Sequence, residues 1–173
     1  MAANRIQLKN VRLSFPSLFT RESFDGKEGK FAATFLIDKN DTKTIDLINR
    51  EIEAAIVEAK VKVPKDKICL RDGDDSEYAG YSGHYAIKAA NNRRPVIINR
   101  DKTPLAAEDA IIYAGCYVNA IIDIWVQNNS YGKRVNANLY GVQFVKDGEH
   151  FGLGTIDVAN EFDDIEEDDN LPF

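Results

Sequence analysis

The stretch Ala110–Asn129, AIIYAGCYVNAIIDIWVQNN, carries the strongest strand signal in the chain. In its later part Val118, Ala120, Ile122, Ile124 and Val126 alternate with Tyr117, Asn119, Ile121, Asp123, Trp125 and Gln127. One face is uniformly apolar and the other mixed, the period-two signature of a strand with one side in a core. NNSYGKR (Asn128–Arg134) reads as a hairpin turn, and VNANLYGVQFVKDGEHFG (Val135–Gly152) as the returning strand, with Gly141 the expected bulge.

Upstream, IQLKNVRLSF (Ile6–Phe15) keeps its alternation only if one residue is skipped, which predicts a strand with a bulge near Asn10. Pro16 ends or edges it. KFAATFLID (Lys30–Asp38) is a second β-rich run, beyond the polar loop TRESFDGKEG. Asp41 then N-caps a helix of about five turns, with Ile45, Ile48, Ile52, Ala55, Ile56 and Ala59 as one core-facing stripe, closed by Pro64. HYAIKAA and PVIIN are short strand candidates. Many strands, one helix between the early ones and no βαβ rhythm predict a mainly β (α+β) protein. A five-stranded antiparallel barrel of the OB type, with insertions, fits best.

The 173 residues allow one domain with a core plus appendages. The net charge of −6 is unevenly spread: eight of the 28 acids fall from Asp157 onward with no Lys or Arg among them. Residues 1–156 therefore hold 20 acids against 22 bases, a mildly basic body (1–156) followed by an acidic tail (157–173). Such asymmetry points toward a nucleic-acid partner. No run approaches the ~20 apolar residues of a membrane helix, and MAANRIQLKN lacks the apolar core of a signal peptide. Cys69 and Cys116 stand apart and only His84 and His150 accompany them, so neither a disulfide framework nor a zinc site is expected. The expected setting is a reducing cytoplasm, that of the host if the chain is phage-encoded, with no cofactor and no metal.

Phosphate loops and nucleophile elbows are absent. RDGDDSE (Arg71–Glu77) has the carboxylates of a metal site but no Glu at loop position 12 and no flanking helices, so it reads as a solvated turn. The better signal is interleaved rings and bases. Tyr78, Tyr81, His84 and Tyr85 precede Lys88, Arg93 and Arg94, with Arg100 beyond; Tyr131 adjoins Lys133 and Arg134; Trp125 lies on the mixed face of its strand. Arg12, Phe15, Phe19, Arg21 and Phe24 make a third stretch. Single strands are held by this pairing, since rings stack on bases at roughly 1–3 kcal/mol each and Lys or Arg neutralise phosphates. Candidate DNA contacts are Arg12, Tyr81, Tyr85, Lys88, Arg93, Arg94, Arg100, Trp125, Tyr131, Lys133 and Arg134. Phe15, Phe19, Phe31 and Phe35 lie in apolar surroundings and are expected in the core.

The chain ends EFDDIEEDDNLPF (Glu161–Phe173). Seven carboxylates cannot pack and stay solvated, and a purely solubilising tail has no need of Leu171 and Phe173. The acids match the charge density of a phosphate backbone and could occupy the protein's own basic groove. Displaced by DNA, the tip offers an apolar anchor and a terminal carboxylate to a partner protein. Asp168, Asp169, Asn170, Leu171, Pro172 and Phe173 resemble the acidic, hydrophobic-Pro-Phe tip of bacterial single-stranded-DNA-binding proteins.

The body resembles a different group. KNVRLSFPSLF (Lys9–Phe19), FLIDKNDTKTIDLINREIEAAI (Phe35–Ile56), LRDGD (Leu70–Asp74), AIKAANNRRPVIINRD (Ala86–Asp101), YAGCYVNAIIDIWVQNN (Tyr113–Asn129) and GVQFVKDGEHFG (Gly141–Gly152) together are similar to a phage family of single-stranded-DNA-binding proteins. That family was long labelled a domain of unknown function. The resemblance covers nearly the whole chain and implies an OB fold, DNA protection during phage replication and recombination, and room for duplex DNA as a further ligand. It assigns no individual contact residues. The expected protein is non-catalytic, coats single-stranded DNA without sequence preference and recruits replication proteins by its tail; a homodimer or cooperative assembly is compatible with it. The competing readings are a small metal-dependent nuclease using Asp72, Asp74, Asp75 and Glu77, and a DNA mimic or virion structural protein.

Overall fold

The computed structural model describes residues 5–151; the acidic tail and its tip lie outside the described residues. Strand β1 (Ile6–Ser17) pairs on one side with β4 (Phe31–Asp38) and on the other with β8 (Tyr117–Asn129). Between β1 and β4 the polar loop makes a two-residue-per-strand hairpin, β2 (Ser23–Phe24) and β3 (Lys27–Glu28). Among the described residues the single α-helix, α1 (Thr42–Ala59), leads to the short β5 (Leu70–Asp72), then β6 (His84–Asn91) and β7 (Val96–Ile98). β9 (Gly132–Lys146) returns antiparallel along β8.

Five of these nine strands close a ring in the order β1-β4-β6-β9-β8, the last seam being a parallel pairing of Ala90 with Asn138. This is the OB arrangement: strands one, two, three, five and four in space, with the third and fifth parallel. Closure removes the exposed edges that would otherwise invite pairing with other chains. Asn91 reinforces the seam by donating its side-chain N–H to the Leu139 carbonyl at 3.1 Å. β5 and β7 are additions at either end of the five-stranded ring; β7 falls within the expected PVIIN strand, whereas β5 is unexpected.

The expected inward face of β8 fills the interior: Val118, Ala120, Ile122 and Ile124 are buried with Leu8, Leu13, Phe35, Ile87 and Leu139. Each of these side chains larger than alanine contributes roughly 1.5–3 kcal/mol. Helix α1 joins the same core through Ile45, Ile48 and Ile52. Asp41 caps it by accepting the Thr44 N–H at 3.4 Å. The helix stops at Lys60, in the left-handed conformation (φ 56°), rather than running on to Pro64; the stripe has faded by then, Ala59 being exposed.

The bulge in β1 lies where the alternation predicts it, between Leu8 and Val11, with Asn10 at φ 53° and its N–H donated to Asn119 Oδ1 at 2.9 Å. The β9 bulge falls at Tyr140 rather than Gly141, because Ile121 faces Gly141 and Ile122 faces Leu139. Gly141 has another reason to be small: a Cβ there would come 3.3 Å from the Val96 carbonyl of β7. β1 also runs through Pro16, with a second irregularity between Ser14 and Ser17.

Candidate nucleic-acid interface

Along β6, Ile87 and Ala89 point into the core, so Ala86, Lys88 and Ala90 point out. Over this outer surface opens a groove of about 1500 Å3, bounded by Thr34 of β4, the Lys65–Tyr78 segment and Arg134–Asn138 of β9. The two alanines keep its floor low. Trp125, Tyr85, Tyr78 and Phe15 line it, with Lys30, Lys65, Lys67, Arg71, Lys88 and Arg134. Lys67 and Arg134 also line an adjoining cavity of about 490 Å3 with Lys62, Pro64, Tyr131, Gly132 and Lys133.

The aromatic end of the groove differs from expectation. Tyr81 lines the groove, as expected of a contact, but is only 6% exposed; its hydroxyl hydrogen-bonds Ser14 Oγ at 2.9 Å, and burial pushes its pKa up. Tyr78, 61% exposed, lies 5.4 Å from it and takes its place at the surface. Phe15, expected in the core, is 55% exposed and meets Tyr78 edge to face at 4.8 Å. Its backbone sits at φ 46°, a costly conformation for a bulky residue that turns the ring out of the strand's alternation. Phe35 is buried as expected, and Phe19 and Phe31 are partly buried beneath Arg94 and Arg21.

The other expected contacts divide. Tyr85, Lys88, Trp125 and Arg134 line the groove; Tyr131, 86% exposed, and Lys133 line its extension. Arg12 does not line the groove. Its guanidinium donates to the carbonyls of Gly115 (3.0 Å) and Glu149 (2.6 Å) and lies 4.1 Å over the Phe151 ring. Arg93, Arg94 and Arg100 are exposed but line neither cavity, Arg94 lying 5.1 Å over Phe19. Lys88 shares its charge with Glu22 at 3.1 Å. Cys69 lines the groove as well, its thiol pushed up to about 11 by burial.

The acidic turn is not simply solvated. Lys39 Nζ bridges Asp72 (2.7 Å) and Asp74 (2.5 Å), while Asp72 also accepts the Asp74 N–H and Asp74 the Gly83 N–H. The Lys39 hydrogen bonds hold both carboxyls below the usual range and raise the Lys39 pKa. These acids tie the 72–75 turn to the loop that carries Tyr78 and Tyr81. Among the described residues, no group of three or more His, Cys, Asp or Glu is placed to hold a metal ion. Nor is any helix there long and apolar enough to cross a membrane.

The class defined by these features is an OB-type barrel with an open groove of mixed aromatic and basic lining. The chain belongs to the family of the ssDNA-binding protein of Enterobacter phage Enc34, which it matches over residues 4–172. It is 41% identical over 173 residues to protein p50 of Acyrthosiphon pisum secondary endosymbiont phage 1, covering 93% of this chain and 94% of that one. The solved structure of the Enc34 single-stranded DNA-binding protein in complex with ssDNA superposes with a TM-score of 0.78 at 34% identity, covering 86% and 89% of the two chains. The single-stranded DNA-binding protein gp2.5 of bacteriophage T7 shares the fold, at a TM-score of 0.62 and 14% identity over 94% and 96%.

Proposed function

We propose that this chain binds single-stranded DNA in the groove across β6, without catalysis and without sequence preference, and so coats and protects DNA during phage replication and recombination. One observation carries the reading: Trp125, Tyr85, Tyr78 and Phe15 share a single groove with Lys67, Lys88 and Arg134. Rings accept any base by its π-face, and the bases beside them neutralise the backbone. The Enc34 relative was solved in complex with ssDNA. Commitment of Asp72 and Asp74 to Lys39 supports the non-catalytic reading over a metal-dependent nuclease.

The tail belongs to the same proposal. Seven carboxylates between Glu161 and Asp169 compete with DNA for the groove, and Leu171, Pro172 and Phe173, with Asp168 and Asp169, recruit replication partners. The test is fluorescence anisotropy of a labelled oligo-dT, titrated with the full chain and with one truncated after Val158. Salt-sensitive binding by both forms is expected, tighter for the truncated one. Absence of binding by either form overturns the proposal in favour of a mimic or structural role.

A further inference from the structure

We infer that Phe151, clamped by Arg12, is a positioning residue for the Phe15–Tyr78 pair, so that the segment leading into the acidic tail is built into the aromatic end of the groove. The inference rests on the groove being the DNA site.

Residues 147–151 are pinned to the barrel. Tyr113 stacks on His150 at 4.0 Å; its hydroxyl donates to Asp147 at 2.9 Å and accepts the Gly148 N–H at 3.0 Å. The Phe151 N–H donates to the Ala114 carbonyl at 3.1 Å, and Arg12 holds both the Glu149 carbonyl and the Phe151 ring.

The Phe151 ring is seated against Gly80 so closely that a Cβ there would lie 2.4 Å from two of its carbons. Gly80 also adopts φ +83°, so the position suits glycine on two counts. Phe151 packs against the small cluster of Leu36, Tyr81 and Ala86. Tyr81 in turn supports Tyr78, and its bond to Ser14 fixes the residue preceding Phe15.

A line of contact thus runs from Arg12 through Phe151 to Gly80 and Tyr81, and ends on the two exposed rings. Nothing in it requires Arg12 or Phe151 to touch DNA. Phe15 can hold its strained backbone because its surroundings over-determine it, and Phe151 bears on them through Tyr81, which is bonded to Ser14.

The test uses the full chain and oligo-dT anisotropy across a salt series, with thermal melting to show that each variant is folded. Tyr78→Ala is expected to weaken binding about tenfold, the equivalent of one stacked base. Phe151→Ala should weaken it by no more than Phe15→Ala combined with Tyr78→Ala does, and should cost less in a Tyr78→Ala background than in the parent, since one of the two rings it positions is then already gone. Phe151→Tyr should restore binding. Arg12→Gln provides a second arm that leaves Phe151 in the chain: it should show the same non-additivity with Tyr78→Ala and an unchanged salt slope. Additive losses, parent-like binding by both Phe151→Ala and Arg12→Gln, or a shallower slope for Arg12→Gln, meaning a direct phosphate contact, would each overturn the inference. Parent-like binding by Tyr78→Ala would remove the stacking pair itself. Loss of binding by the unmodified chain would instead fail the groove reading.

Discussion

Lys67 and Arg134 line both the main groove and its extension toward Tyr131 and Lys133, so a strand passing from one to the other must cross them. The informative perturbation is the double replacement Lys67→Ala with Arg134→Ala. For single strands each neutralised phosphate contributes about 0.7 to the slope of log K against log salt, so losing two contacts should flatten the slope by about 1.4. Over a fourfold rise, from about 50 to about 200 mM, the parent should therefore lose about sevenfold more affinity than the variant. Trp125→Ala is the control of opposite character: stacking is worth roughly 1–3 kcal/mol and should be lost by a similar factor at every salt. Anisotropy of labelled oligo-dT at four salt concentrations reads both. A variant line parallel to that of the parent would mean that neither cation meets a phosphate, and the proposed path through the two cavities would be wrong.

Truncation after Val158 removes all seven carboxylates between Glu161 and Asp169 and should tighten oligo-dT binding, with the gap from the full chain closing as salt rises; a salt-independent gap would mean the tail acts other than by charge. Cys69 should react slowly with a maleimide, its rate climbing about tenfold per pH unit from 7 to 9 because its pKa of about 11 lies above that range. Bound oligo-dT should slow it further, as the thiol lines the groove, whereas fully buried Cys116 should stay unlabelled in the native protein. Lys39→Met should lower the melting temperature at neutral pH. Asp72 and Asp74 are held below their unfolded pKa, so their stabilising pairing is present above about pH 4 and is lost as pH falls through the folded values. The melting gap should accordingly close on acidification, and a gap constant down to about pH 2 would count against the pairing.

The barrel was legible where alternation was strong and local. β8 declares its buried face, Asn10 marks the residue that must be skipped, and Asp41 stands ahead of a helical stripe. Local signals failed where a short segment takes its conformation from distant neighbours. β5 has three residues and forms because β6 lies beside it, with Asp72 opposite Tyr85. Phe15 continues the apolar alternation on paper, yet its left-handed φ reverses it. The hint was Pro16, which cannot donate to the ladder and so marks where regular pairing fails. That Tyr78 is exposed and Tyr81 buried could not be read from a Gly-rich loop, since Tyr81 packs with Leu36 and with Phe151, seventy residues away. Arg12 is expected from the sequence to contact DNA, but its guanidinium is held by carbonyls more than a hundred positions on.

The charges of the groove show why rings and bases must work together in it. Its six lining bases face four lining acids, Glu22, Asp66, Asp72 and Asp75. Lys88 is paired with Glu22, and Arg71 donates to the Asp66 carbonyl at 3.1 Å. The surplus of positive charge is thus small, and the extension adds Lys62 and Lys133 beside Lys67 and Arg134. Phe15 and Tyr78 line the same groove, and in the proposed reading their stacking adds to that weak attraction. The two terms respond differently to a polyanionic competitor. In the proposed reading the tail's carboxylates mimic phosphates near Lys67 and Arg134, while its run offers Phe162, Ile165, Leu171, Pro172 and Phe173 to the rings but no stack of bases. A tail competing for this groove would therefore displace DNA near Lys67 and Arg134 first, and DNA able to stack would win it back.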